Sequence, residues 1–289
     1  MNKKDIIVLS ISPFLVTVGA LSALLLHSLI KTKAVEEEEI DLSESFEETY
    51  AQYKTLNKED YLTTFDDVDI VNIALLNVEN SEQFYATTKG EVVALGVKQS
   101  INGLLIKDNK NLFEEDLSYS RFVKAANRFY QDEEKVTWYK GKYESHIGHY
   151  ENCKITEYTH EAFLDKWGRT LNTGSIYTIN HKTLIESKRE NSGEDTYLIT
   201  LELNPKLSTL NYIKQMKITG NLKADPVFKK ITLSFVIDDN LYLKSLSTNE
   251  TYSTFVWGID ASNTKGTLTQ DFYYEHKDIP SLEEPINYE

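Results

Sequence analysis

Residues Ile6 to Ile30 form one uncharged, mostly apolar run, with Lys3 and Lys4 before it and Lys31 and Lys33 after it. A helix over these 25 residues rises about 1.5 Å per residue and spans a hydrocarbon core of roughly 30 Å. The run therefore predicts a transmembrane signal anchor, with residues 1–33 as stub and anchor. Pro13 lies in its first half, where a membrane helix tolerates a kink. A cleaved signal peptide is the competing reading. Its apolar core is usually only about 7–15 residues long, and here Leu24, Leu25, Leu26, Leu29 and Ile30 continue past the small residues Ala20 to Ala23. The single cysteine, Cys153, is far from the run, so neither a lipidated N-terminus nor an intramolecular disulfide is expected.

Basic residues on the short stub favour the cytoplasm for the N-terminus, although Lys31 and Lys33 pull the other way. Four acids, Glu36 to Glu39, follow at once. The bulk of the chain is thus expected outside the cytoplasm. The whole chain has 31 basic and 45 acidic residues; beyond residue 33 these fall to 27 and 44, a balance of −17. Such a charge argues against nucleic acid as a partner and against electrostatic docking on anionic lipid heads. It suits a soluble domain held off a negative surface, and it equally suits plain solubility. Few cysteines and prolines with many Lys, Asn, Glu and Tyr resemble the composition of a low-GC Gram-positive bacterial protein.

Residues 34–62 open with an acidic stretch almost free of aromatics, which predicts a solvated juxtamembrane spacer, with a short helix over 48–62. The main domain is expected over 63–276. A helix starts at Asp66 or Asp67, where acids favour its N-terminus, and Val68, Val71, Leu75 and Val78 mark its buried stripe. Alternation over Phe84 to Thr88 gives a strand, and Gly90 opens a second run from Glu91 to Val97. Ser100–Lys107 and Leu112–Tyr119 form a hairpin around Asp108-Asn109-Lys110-Asn111. Strands follow over Phe122–Tyr130 and Lys135–Tyr139.

Thr159 caps a helix carrying Ala162, Phe163 and Trp167 and ending at Gly168. Ser175–Ile179 reads as a strand, and Lys182–Arg189 with Thr196–Leu203 as a second hairpin. Asn204-Pro205 starts a helix in which Leu207, Leu210, Ile213 and Met216 recur at spacings of three until Gly220. Ile231, Leu233, Phe235 and Ile237 alternate, Asp238-Asp239-Asn240 turn, and Leu241–Val256 and Thr267–Tyr274 complete the set. Residues 277–289, with Pro280 and Pro285, read as an irregular tail. About nine strands and three or four helices in this order predict an α+β fold with a large antiparallel sheet.

A sheet of this length must twist and coil, so one face becomes concave. The order of elements resembles a known group. A helix precedes strands with Gly90 and the LLIKDNKNLFEEDLS hairpin; a helix is inserted after a long hairpin; and ITLSFVIDDNLYLKSLSTNETYSTF closes as a meander. Over roughly residues 65–275 this pattern is similar to the LolA-like and LppX-like extracytoplasmic lipoprotein-carrier half-barrels. The chain departs from lipoproteins of that kind in carrying an apolar helix instead of a lipidated cysteine, and no functional residue carries over. The resemblance implies a non-catalytic binding or carrier protein with an elongated apolar cavity for a lipid or other hydrophobic ligand. Ile231, Leu233, Phe235, Leu241 and Leu243 are then expected to line it, with Leu207, Leu210 and Ile213 as a plug or lid. An ordinary filled core shows the same alternation.

Other chemistry is weakly signalled. His146, His149, Cys153 and His160, with Glu151 and Glu157 among them, form a loose string and lack the two close pairs of a zinc site. Cys153 has a nearby base only in sequence. Asp66, Asp67 and Asp69 lack the Gly and distal Glu of a calcium loop and read as helix-start acids. Asn249-Glu250-Thr251 matches a glycosylation acceptor, of consequence only in a eukaryotic secretory pathway. Trp138, Tyr139, Tyr143 and Tyr150 suit either glycan stacking or a half-buried strand surface. No phosphate loop, nucleophile elbow or His-Glu-x-x-His motif is present, so no catalytic residue, metal or cofactor is expected. An interaction or assembly subunit of a bacterial cell-envelope complex is the alternative function.

Overall fold

The computed structural model describes residues 41–288 except 122–123, 145, 172–175, 194, 221–223 and 257–258. The apolar run Ile6–Ile30 lies outside the described residues. Among those residues no helix is long and apolar enough to cross a membrane.

Eleven strands form one sheet in which every neighbouring pair is antiparallel. They are β1 Gln83–Ala94, β2 Val97–Asp108, β3 Asn111–Tyr119, β4 Lys124–Gln131, β5 Val136–Glu144, β6 Ile147–Tyr158, β7 Leu184–Gly193, β8 Thr196–Leu203, β9 Val227–Asp238, β10 Leu243–Val256 and β11 Ile259–Tyr273. Their order is β6-β5-β4-β3-β2-β1-β11-β10-β9-β8-β7. Two meanders thus join through the pairing of the first strand with the last. The chain between β6 and β7 must pass from one edge of the sheet to the other.

Among the described residues six α-helices accompany the sheet: α1 Glu47–Tyr53, α2 Tyr61–Thr64, α3 Asp67–Asn80, α4 His160–Trp167, α5 Pro205–Ser208 and α6 Leu210–Gly220. α4 leaves the β6 edge and α6 follows β8 near the opposite edge, yet the two helices touch. At about 4.8 Å per strand, a flat sheet would put β6 and β8 roughly 40 Å apart. The contact shows that the sheet curls and that both helices lie across its inner face.

Local chemistry sets the helix starts. Asp66 caps α3, accepting from the Val68 and Asp69 amides at 2.9 and 3.0 Å. Val68, Ile70, Val71, Ile73, Ala74 and Val78 of α3 are buried. Asn77 is buried among them and satisfied: its Nδ2 donates to Leu241 O at 2.9 Å and to the Tyr53 hydroxyl at 3.2 Å, and its Oδ1 accepts from the Tyr50 hydroxyl at 3.0 Å. One apolar cluster unites α3, α4, α6 and the inner-face residues of β1, β2, β4 and β8–β11.

Several boundaries differ from the sequence expectation. Gly90 does not open a strand; it lies inside β1. A Cβ there would meet Thr267 O at 2.5 Å and the Leu268 Cα at 3.0 Å across the β1–β11 pair, so the glycine permits close pairing. The hairpin turns instead at Leu95-Gly96, both with left-handed backbones (φ 51° and 75°). Residues 147–158, to which the sequence expectation assigns no element, form edge strand β6. Ser175–Ile179 falls partly outside the described residues, and 176–179 are not a strand; Tyr177 and Ile179 nevertheless enter the core.

Both ends of the described chain are pinned. Near the start, Asn180 Nδ2 donates to Leu42 O at 2.7 Å, Lys182 Nζ donates to Asp41 O and Ser43 O at 2.9 and 3.1 Å, and His181 bonds Glu44. At the other end, residues beyond 274 have no regular secondary structure but pack on the outer face. Ile279, Leu282, Ile286 and Tyr288 cover Leu104, Ile106, Phe113 and Leu117 there.

Candidate functional site

The inner face is the surface that the helices and the β6–β7 connection enclose. Its residues follow from strand period and register. On β3, Glu114 and Asp116 face inward and Glu115 outward, because side chains alternate. All three acids are buried, at 3%, 0% and 0% exposure. The inward pair is met by Arg169. α4 is capped by Thr159, whose hydroxyl accepts from the Ala162 amide at 3.2 Å, and ends at Gly168 with a left-handed backbone (φ 65°). The next residue, Arg169, places Nη1 and Nη2 on the two Glu114 oxygens at 2.7 and 2.5 Å. This is a bidentate, buried ion pair.

Asp116 lies beside that pair, wholly buried and against the Glu114 carboxylate. Complete burial and the adjacent Glu114 charge push its pKa well above the ordinary carboxylate range. Asn127 on β4 pairs with Asp116 in register and accepts from the Trp138 indole at 2.9 Å. Trp138, Trp167, Phe129 and Phe163 stack edge and face around this group, with ring centroids 5.4 to 6.0 Å apart.

A second buried carboxylate lies on the same face, on β10. Glu250 is opposite Ile231 and Gly266 in register, and Gly266 supplies its space: a Cβ there would meet Glu250 Oε1 at 2.6 Å. Tyr177 from the connection and Tyr212 from α6 donate to Glu250 at 2.6 and 3.1 Å. Burial pushes its pKa up to about 7, against the two hydroxyls, which favour the charged form. Glu250 therefore ties α6 and the connection to the sheet.

The residues expected to line a cavity are placed as follows. Ile231, Leu233, Phe235, Leu241 and Leu243 are fully buried in the cluster that includes α3, Tyr212 and Met216. Ile213 is half-buried against that cluster and Leu207 is half-buried. Leu210 is 53% exposed, so it stands on the outer side of α6. The strict spacing of three explains this. In an α-helix each such step drifts by about 60°, and the series walks around the helix instead of holding one face.

The His146, His149, Cys153 and His160 string is laid out along β6 and the start of α4 and is not gathered. Among the described residues a metal-like grouping occurs instead at Asp66, Asp69 and His181. Its atoms are already engaged, since Asp66 caps α3 and its Oδ2 meets His181 Nε2 at 2.9 Å. The aromatic set divides between faces: Trp138 is inside, and Tyr139, Tyr143 and Tyr150 are outside. Glu114, Asp116, Arg169 and Glu250 were not anticipated. The available signal was the FEED run within an otherwise apolar strand.

No protein-family model matches the sequence, and no curated protein matches it. Among solved structures, the chain is similar to LprF from Mycobacterium bovis, with 9% identity over 75% of this chain and 97% of that one and a TM-score of 0.38. It is also similar to a domain from Vibrio parahaemolyticus described as outer-membrane lipoprotein-sorting, with 9% identity, 75% and 93% coverage and a TM-score of 0.28.

Proposed function

We propose that this chain is a non-catalytic, extracytoplasmic protein, anchored through residues 6–30, that holds a lipid or other hydrophobic ligand against the inner face of its sheet. The observation that carries this reading is the curled eleven-stranded sheet, whose largely apolar inner face, interrupted by a few buried polar groups, is covered by short helices and a single connection. Such a cover can move without breaking the strand ladder. Leu164 and Leu210 stand exposed, at 48% and 53%, on the two helices that meet over that face. They offer an apolar rim for a ligand leaving a membrane.

An assembly subunit of an envelope complex would instead present a joined apolar patch. The exposed large apolar residues Leu95, Ile155, Ile185 and Val227 stand apart in the chain, in the β1–β2 turn and on β6, β7 and β9, which favours the ligand reading. The test is purification of the full chain from membranes, solvent extraction and mass spectrometry of the extract. A co-purifying amphiphile close to one per chain is expected. A chain that carries none, and takes up no added fluorescent lipid, does not bind one.

A further inference from the structure

The outer face of the sheet carries a recess of its own, on the side away from the helices. It lies where the end of the tail meets β1, β2, β3 and the β5–β6 turn, and its volume is about 170 Å³. Lys89 of β1 and Asn102 of β2, partners in register, line it together with Tyr119 of β3. Tyr143 and His146 close it on the β5 side, and Asn287 and Tyr288 close it from the tail.

The aromatic wall is tightly held. Tyr119 and Tyr143 stack with ring centroids 4.9 Å apart and planes 10° from parallel, and the His146 ring meets both edge-on at 6.0 and 6.2 Å. His146 has a left-handed backbone (φ 69°), which a residue other than glycine adopts only where its surroundings impose it. Its Nδ1 lies 3.1 Å from the Tyr143 hydroxyl. Either direction of that bond leaves one donor over: the ring Nε2–H if the tyrosine donates, the tyrosine O–H if the ring does. Tyr288 is fixed by its hydroxyl, which donates to Glu115 Oε2 at 3.1 Å.

The polar groups around this recess are donors in search of an acceptor. The Lys89 ammonium and the half-buried Asn102 side chain have no hydrogen-bond or ion-pair partner among the described residues. None of the lining residues is an acid, although the chain has 45. Glu115, held by Tyr288, is already neutralised by Arg128 at 3.2 Å. The net charge of −14 repels anions at long range, but in about 0.1 M salt that field fades within roughly 10 Å, and the local groups decide.

We propose that this recess is a binding site for a phosphate group, free or carried on a larger molecule, with the Lys89 ammonium as counter-charge and Asn102 and the Tyr143–His146 pair as neutral donors. A phosphate has several strong acceptor oxygens pointing in different directions, which suits donors placed on separate strands around one space. Hydrogen bonds to an ionised acceptor are also the stronger ones. A cation would meet Lys89 and no carboxylate. A neutral sugar would stack on the tyrosines but leave the Lys89 charge unmatched. The site shares no residue with the inner face and does not depend on the ligand reading above.

The test is titration calorimetry of the full chain in nonionic detergent, at fixed ionic strength, with inorganic phosphate, glucose 6-phosphate and glucose. Phosphate is expected to bind with a Kd of about 1 mM or tighter. Lys89 is exposed, so Lys89→Met keeps the fold; it should weaken phosphate by about tenfold or more, the effect of one hydrogen bond between charged groups. Asn102→Asp, nearly isosteric, sets an acid against the anion and should abolish binding. Lys98→Met, which removes an outer-face lysine paired with Glu91 on the neighbouring strand, should change nothing. Tighter binding of glucose 6-phosphate than of phosphate identifies a group on a larger molecule, and equal or weaker binding identifies the free anion; both sustain the site. Glucose binding as tightly as glucose 6-phosphate overturns it in favour of a sugar platform. No phosphate binding by about 10 mM, or an equal loss in Lys98→Met and Lys89→Met, overturns it outright.

Discussion

Glu114 and Glu115 are adjacent on strand β3 and are neutralised on opposite faces of the sheet. Arg169, brought across by the connection, takes Glu114 on the inner face at 2.7 and 2.5 Å. Arg128, from the neighbouring strand, pairs with Glu115 on the outer face at 3.2 Å, with both side chains wholly buried. Strand alternation forces the split, and covering both faces forces the two arginines. The inner pair depends on a residue from the chain crossing between the sheet's edges, and the outer pair is roofed by the tail.

Arg169→Met should destabilise the chain by about 3–5 kcal/mol, because it strands the Glu114 charge in the interior. The double change Glu114→Gln with Arg169→Met should recover most of that loss, since an apolar or neutral replacement of a whole buried pair is often nearly neutral. Urea denaturation of the four chains closes the cycle. A single-mutant cost under about 1 kcal/mol would show the pair to be solvated.

Glu250 makes the fold sensitive to pH in the opposite sense from a surface carboxylate. Its folded pKa, about 7, is raised above the ordinary 4.5. Its contribution is therefore fully present below pH 4.5 and is lost as pH rises through 7. The difference is worth on the order of 3 kcal/mol. Glu250→Gln should match the parent chain in acid and exceed it in mild base. Melting temperatures of both chains across this range check it, and parallel curves would show that Glu250 does not titrate with folding.

Much of this fold is legible locally. The Asp66, Thr159 and Asn204-Pro205 helix starts and the turns at Asp108 and Asp238 are set by residues within four positions of one another, and the structure has all of them. Strand β6 is not legible, because an edge strand with Glu151, Asn152, Lys154 and Glu157 exposed has no apolar alternation to show. The buried acids fail for a different reason. Glu114 to Asp116 look like surface residues unless both faces of β3 are known to be covered. One cover is the connection at 159–183 and the other is the tail, and nothing local to β3 announces either. The expected lining on β9 and β10 follows from period two and is buried; what lies against it depends on α3, more than 150 residues away in sequence.

The tail is a structural strap. Arg128 donates from Nη1 to Ser281 O and Leu282 O at 2.9 and 3.0 Å and from Nη2 to Glu284 O at 2.6 Å. Tyr130 donates to Pro280 O at 3.0 Å, and Tyr288 donates to Glu115 Oε2 at 3.1 Å. Ending the chain after Asp278 should cost at least about 4 kcal/mol, because three hydrogen bonds to a charged donor are lost at roughly 1.5–3 kcal/mol each. It also uncovers Leu104, Ile106 and Phe113, so the shortened chain should bind an apolar dye. Tyr288→Phe alone should cost about 1 kcal/mol. Calorimetry of both variants separates the strap from its terminal hydrogen bond, and a shortened chain as stable as the parent would show the tail to be ornamental.

His181 latches the segment before α1 to the domain. Its Nδ1 meets Glu44 Oε1 at 2.6 Å and its Nε2 meets Asp66 Oδ2 at 2.9 Å, while its ring stacks on Phe46 at 6.0 Å. Burial works against the imidazolium, but the hydrogen bonds to Glu44 and Asp66 outweigh it and raise its pKa above 6.5. The latch is therefore fully formed below pH 6.5 and loosens as pH rises through the higher folded value. Protease cleavage within residues 41–46 should be slower near about pH 6 than near about pH 9, after correction with an unstructured peptide of the same sequence. His181→Gln should cleave at the fast rate at both, since a neutral amide cannot hold two carboxylates. Because this segment follows the apolar run, the same measurement on the full chain in vesicles tests the anchoring proposed for residues 6–30. An unchanged pH response in His181→Gln would place the latch elsewhere, on Lys182 and its bonds to Asp41 O and Ser43 O.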